Sequence, residues 1–89
     1  MKAFVLNCSE IHSRYQLHEK IAEGLGFPEW YGRNLDALHD CLTEIAEDTS
    51  FTLNDFSALE ENLGGYAELL KKVLSHASKE NEKLLIEIK

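Results

Sequence analysis

The sequence predicts a small α/β domain of two layers, a three-stranded parallel sheet packed with four helices. Three observations carry this. Strand-like runs stand at the start, middle and end of the chain: "KAFVLN", "TSFTL" and "KLLIEI". Two stretches of helical periodicity separate each run from the next. Strands joined by helical crossovers lie parallel, and such crossovers are right-handed. The chain has 89 residues. A chain of that size buries only about 60–65% of its unfolded surface, enough for one core and one domain over residues 1–89.

Residues 2–7 are a short run rich in strand formers and make the first strand. "SRYQ" at 13–16 has the form of a capping box. Leu17, Ile21 and Leu25 then recur at helical spacing. Gly24 and Gly26 mark the exit, and Pro28 prevents continuation. "FPEWYGRN" at 27–34 is a loop with two aromatics beside Pro28 and Gly32. Asn34 is placed to cap the second helix. There Leu35, Leu38, Leu42 and Ile45 share one side, with Cys41 at its border. Asp36, Asp40, Thr43 and Glu44 lie opposite, and His39 lies between. The second strand is 49–53, after which Asn54 or Asp55 caps a short helix carrying Phe56, Leu59 and Leu63. Gly64-Gly65 ends it. Residues 66–79 form the fourth helix, with Leu69, Leu70, Val73, Leu74 and Ala77 inward. A turn at 81–82 leads to the last strand, 83–88. Three parallel strands need a helical layer over their apolar face.

Sixteen acids against nine bases give a net charge of −7. Phosphates attract the opposite sign, so this balance argues against nucleic acid and anionic membranes as partners. It suits a basic partner, and it also serves solubility. Residues 29–48 hold Glu29, Asp36, Asp40, Glu44, Glu47 and Asp48 against the single Arg33, so this window carries −5 of the −7. Cys8 and Cys41 stand far apart with no C-x-x-C spacing, the usage of a reduced compartment. The opening apolar run is too short for a signal peptide, and no run reaches the ~20 apolar residues of a membrane span. A cytoplasmic location is expected, with no cofactor and no resident metal.

Asp36, Asp40 and Glu44 form a row one turn apart on the second helix. Like charges so spaced cost a helix about 0.2–0.5 kcal/mol per pair. Asp36 is in the first turn, where a negative charge favours the helix dipole. Asp40 lies beyond most of that benefit. A solvated charged face is the plain reading of Asp40 and Glu44. Carboxylates at this spacing also suit acid–base chemistry, but a retaining glycosidase sets its pair in a cleft, and these share one convex helix. A metal site from Asp36, His39 and Asp40 lacks a fourth ligand from a defined element.

The stretch "LGFPEWYGRNLDALHDCLT", residues 25–43, resembles the barstar family of intracellular inhibitors of secreted bacterial ribonucleases. The match is dense at Leu25, Pro28-Glu29, Tyr31-Gly32, Asn34-Leu35-Asp36-Ala37-Leu38 and Asp40-Cys41-Leu42-Thr43. It extends more loosely over the first strand, Leu17-His18, Phe56, Ala67-Glu68 and the last strand. The resemblance implies a non-catalytic protein that plugs a nuclease active site with its loop and second helix. It implies that Asp40 occupies the place of a substrate phosphate and that Asp36 is a second anion for the same basic cleft. The contact set so implied is Trp30, Tyr31, Gly32, Asn34, Leu35, Asp36, His39, Asp40, Thr43, Glu44 and His76. The expected partner is a basic, secreted, guanyl-specific ribonuclease or a similar toxin nuclease, bound 1:1 by a chain that is monomeric when free. The rival is a binding module for a different toxin nuclease or an unrelated basic cytoplasmic partner.

The departures from the family pattern cluster around that set. Trp30 stands for a tyrosine, His39 and Ile45 for tryptophans, Glu44 for a glycine and His76 for a glutamate. Several members also have internal duties: Asn34 as a cap, Gly32 as a backbone requirement, Leu35 as core, Trp30 and Tyr31 as cover for the core edge. His12 and His18 show no role in the sequence.

Overall fold

The computed structural model describes residues 1–89. The elements run β1 (Lys2–Asn7), α1 (Arg14–Leu25), α2 (Leu35–Thr43), β2 (Thr49–Asn54), α3 (Phe56–Leu63), α4 (Gly65–Glu80) and β3 (Leu84–Ile88). A single 3-10 turn at Cys8–Glu10, absent from the sequence reading, follows β1. The sheet order is β1-β2-β3 and both pairings are parallel. This is the predicted two-layer α/β domain.

Strand alternation sorts the sheet into two faces. Phe4 and Leu6, Phe51 and Leu53, and Leu84 and Ile86 point toward the helices in register. Val5 and Leu85 point the other way and are exposed, so the helices cover one face only. β2 is central and its inward residues are fully buried; Phe4 stacks on Phe51 with centroids 5.2 Å apart. Over them pack Leu17 and Ile21 of α1, Leu38 and Leu42 of α2, Leu59 of α3, and Leu70 and Leu74 of α4.

Some boundaries and caps differ from expectation, each for a local reason. α1 runs through Gly24 to Leu25, and the exit is Gly26 alone, in the left-handed conformation at φ 72°. Gly24 answers a packing demand: a Cβ there would stand 2.1 Å from the Phe4 ring. The capping box is half formed. Ser13 accepts the Gln16 N–H at 3.0 Å, but the Gln16 side chain accepts from the His12 N–H rather than from Ser13. α3 begins after Asp55, which turns the chain at φ 57° without a side-chain cap bond, and Asn54 belongs to β2. Asp tolerates that left-handed geometry better than most residues. α4 starts at Gly65, so only Gly64 separates the last two helices. Leu69, expected inward, is 50% exposed. The buried stripe of α4 is Ala67, Leu70, Leu74 and Ala77, and Leu69 lies off that stripe.

Asn81 ties the layers together. Its side-chain N–H₂ donates to the carbonyls of Leu42 at 2.9 Å and Ile45 at 3.0 Å, and its oxygen accepts the Lys83 N–H at 3.0 Å. The last carbonyls of a helix have no partner within it. Asn81 supplies partners from the α4–β3 turn and so pins the C-terminal end of α2. Asn81→Ala is expected to cost about 2 kcal/mol, because it removes the donor to the part-buried Ile45 carbonyl and leaves the buried Leu42 carbonyl only the long 3.4 Å bond from the Ile45 N–H. Urea unfolding of the two proteins checks this; an unchanged midpoint would mean that water replaces the amide at no cost.

Candidate functional site

The loop and α2 are placed by their own short-range bonds. Asn34 accepts the Ala37 N–H at 2.8 Å and caps α2, as its residue type predicts, while its amide donates to the Gly32 carbonyl at 3.1 Å. Gly32 is needed for space rather than for an unusual φ. A Cβ there would lie 3.3 Å from both the Ala37 methyl and the Asn34 amide. The left-handed residue of the loop is Arg33, at φ 49°. Its guanidinium turns back to α1, where it pairs with Glu19, donates to the Tyr31 carbonyl at 3.1 Å and lies over the Tyr15 ring. The only base in the acidic window is thereby drawn away from the acids.

The acidic row is left open. Asp36 and Glu44 are exposed and have no cationic nitrogen within 4.0 Å. The Asp40 side chain is 79% exposed, and its one ionic neighbour is the His39 ring at 3.7 Å. His39 bridges helices: its other nitrogen meets Glu80 of α4 at 3.1 Å. That bond, then Asp40 more weakly, holds the His39 pKa above its ordinary value. His76 is exposed one turn before Glu80, so it lies on the same stripe of α4. Thr43 is half-buried and donates its hydroxyl to the carbonyls of His39 and Asp40. Ile45 lies beyond the end of α2, after the Glu44 cap, and packs part-buried against the core. Leu35 is likewise half-buried against the core.

The two loop aromatics divide. Trp30 is 83% exposed. Tyr31, grouped above with the contact residues, is 2% exposed, and its hydroxyl meets His18 Nδ1 at 2.6 Å. Its part is to fix the loop from inside. His18, which showed no role in the sequence, is fully buried, and its Nε2 meets the Tyr66 hydroxyl at 2.7 Å. A neutral imidazole has one donor and one acceptor nitrogen, so it accepts a hydrogen bond from one tyrosine hydroxyl and donates one to the other. The loop is thus latched to α1 and α4 at once. Burial, and then the Arg33 charge, lower the His18 pKa, and burial raises that of Tyr31. Cys8 is buried, with its thiol pushed up to about 11 by burial; Cys41 is half-buried beside the acidic row, and both are free. No three metal-ligating side chains converge, and no helix is long and apolar enough to cross a membrane.

Of the expected set, Trp30, Tyr31 and Gly32 of the loop and Asp40 and Glu44 of α2 line one groove, whereas Leu35 packs on the core and His39 turns to Glu80 of α4. Sequence reasoning missed Glu80, His18, Tyr66 and Asn81, all of which act across the fold. The Tyr66 hydroxyl at the start of a helix was the available signal; Asn81, between Glu80 and Glu82, reads as an ordinary turn residue.

A one-sided parallel three-stranded sheet, under helices that present an acidic cap-and-helix segment, is an α/β domain of the barstar-like class. The match to the family described as Barstar (barnase inhibitor) covers residues 1–89, and the chain belongs to that family. It is also 33% identical over 81 residues to a Bacillus subtilis (strain 168) protein named "Putative ribonuclease inhibitor YrdF", covering 90% of this chain and 89% of that relative.

Proposed function

We propose that this chain is an intracellular ribonuclease inhibitor that occludes its target's basic catalytic groove with the loop and α2. Asp40 stands in for a substrate phosphate and Asp36 supplies a second anion. The target is a basic, secreted, guanyl-specific ribonuclease, bound 1:1. The observation that carries this is Asp40 itself: a mid-helix carboxylate, 79% exposed, in a chain of the barnase-inhibitor family. A helix-borne carboxylate is preorganised, so little entropy is lost on docking. A charge-assisted contact in a desolvated interface outweighs the small repulsion along the row many times. The contact set is Trp30, Gly32, Asn34, Leu35, Asp36, His39, Asp40, Thr43, Glu44 and His76, with Tyr31 supporting it from within. Departures from the family pattern within this set, at Trp30, His39, Glu44 and His76, and at neighbouring Ile45 favour a nuclease whose surface differs around a shared basic centre.

The test is titration of the purified chain into assays of barnase and a panel of secreted microbial ribonucleases. Stoichiometric inhibition of at least one is expected at micromolar concentration or below. Inhibition of none would sink the reading. The open acidic face also predicts a kinetic signature. Association steered by charge approaches ~10⁸–10⁹ M⁻¹s⁻¹ at low salt, a range that barnase and barstar themselves help define. Stopped-flow association is expected to slow at least about tenfold from low to high salt, because screening shortens the reach of the field. A flat response would assign the acids to solubility alone.

A further inference from the structure

Between the Gly26–Gly32 loop and the C-terminal half of α2 lies a groove of about 600 Å³. That is within the ~300–1,000 Å³ of ordinary ligand sites. Leu25, Phe27, Pro28 and Ile45 give it an apolar lining. Asp40, Glu44 and Glu47 also line it, against one cation, Lys2. Trp30 stands at the same groove and is the chain's one tryptophan. Folding does not explain this assembly. Trp30 leaves most of its surface in water, and Glu44 and Glu47 have no ionic partner within 4.0 Å.

One kind of side chain complements all three features. Arginine has an aliphatic stem for the apolar lining, a planar cation that pairs with carboxylates, and a flat face that stacks on an indole. Lysine lacks the planar face. An acid is repelled, and an apolar side chain strips water from the carboxylates without replacing their hydrogen bonds.

We propose that this groove is a slot for an arginine side chain of the partner protein, held by Glu44 and Glu47 and covered by Trp30, beside the Asp40 contact. The identity of the partner rests on the function proposed above; the chemistry of the slot does not. The slot selects among nucleases. Glu44 and Ile45, two of the lining residues, stand where the family pattern carries glycine and tryptophan, so the Glu44 carboxylate is this chain's own addition to the groove.

Trp30 reports occupancy directly. N-acetyl-arginine amide is expected to change its fluorescence saturably, with a Kd on the order of millimolar. N-acetyl-citrulline amide, similar in shape but uncharged, is expected to bind at least tenfold more weakly. In Glu44→Gln/Glu47→Gln the arginine amide is expected to lose at least fivefold in affinity, with the fold intact by circular dichroism. The same double variant is expected to inhibit barnase, or whichever panel nuclease the wild type inhibits, with a Ki at least tenfold higher. An equal response to the two amides, or a double variant that binds arginine like the wild type, overturns the slot. Inhibition of a nuclease with the same Ki in both proteins overturns it too, and leaves the inhibitor reading standing. Arginine binding without inhibition of any nuclease leaves the slot standing and overturns the partner class.

Discussion

Asp40→Ala is expected to raise the Kd for the target nuclease at least about thirtyfold while leaving the fold intact. That factor corresponds to the ~2 kcal/mol that marks an interface hot spot, a scale for which barstar is itself a reference system. Almost the whole side chain is in water in the free protein, and its nearest cation is His39 at 3.7 Å. Removing such a group costs a fold within ~0.5 kcal/mol. It also relieves repulsion from Asp36 and Glu44, worth about 0.2–0.5 kcal/mol per pair. Affinity and stability should therefore separate cleanly. Asp36→Ala should separate them less well, since Asp36 sits in the first turn of α2 and supports the helix as well. Calorimetric titration beside thermal unfolding reads both quantities. Full affinity in Asp40→Ala would move the centre of the interface elsewhere, and a large loss of melting temperature would make Asp40 structural.

The second large effect is on stability. His18→Ala is expected to destabilise the protein by about 3 kcal/mol or more. It opens a void in a fully buried site and strips the Tyr31 and Tyr66 hydroxyls of a shared partner. The buried Tyr31 hydroxyl, once orphaned, costs about 1–3 kcal/mol, the half-buried Tyr66 hydroxyl costs less, and the void adds to both. The loop is the first region to loosen, because Tyr31 is its inward anchor. Hydrogen exchange should show lost protection over residues 27–34 before the strands are affected. Wild-type exchange in that loop would show that the latch is dispensable.

The same histidine gives an acid limb. Its folded-state pKa is lowered, first by burial and then by Arg33, while the unfolded chain has the ordinary value of 6.5. Above 6.5 both states are neutral and the stabilisation is fully present. As the pH falls below 6.5 the unfolded state takes up the proton first, and stability drops until the lowered folded value is passed. His39 works with the opposite sign. Its raised pKa gives a contribution present below 6.5 and lost as the pH rises through the folded value. Chemical denaturation across pH 5–8 should show the acid loss in wild type and its absence in His18→Ala. Parallel pH slopes in the two proteins would exclude His18 as its source.

Much of this was legible in the chain because it is encoded over a few residues. The Asn34 cap, the stripe of Leu38 and Leu42, the Gly26–Pro28 exit and the row of acids all follow from spacings of three or four. Element order then followed from punctuation, and parallel pairing from the length of the crossovers. The placement of Gly24 was not legible, since its demand comes from Phe4 on a different element. Leu69 misled because an apolar residue beside a buried stripe reads like part of it, and only the width of the packed face decides.

The sequence by itself determined the order of elements, the cap of α2 and the exposed line of carboxylates, because periodicity and capping act within a turn or two of the chain. The tertiary structure decided what depends on distant parts meeting: Tyr31 turned inward onto His18, which in turn meets Tyr66, Asn81 bound to the end of α2, Arg33 drawn off to Glu19, and a groove opened between loop and helix. Those pairings span 13 to 48 residues and exist only once two crossovers have stacked the helices on one face of the sheet.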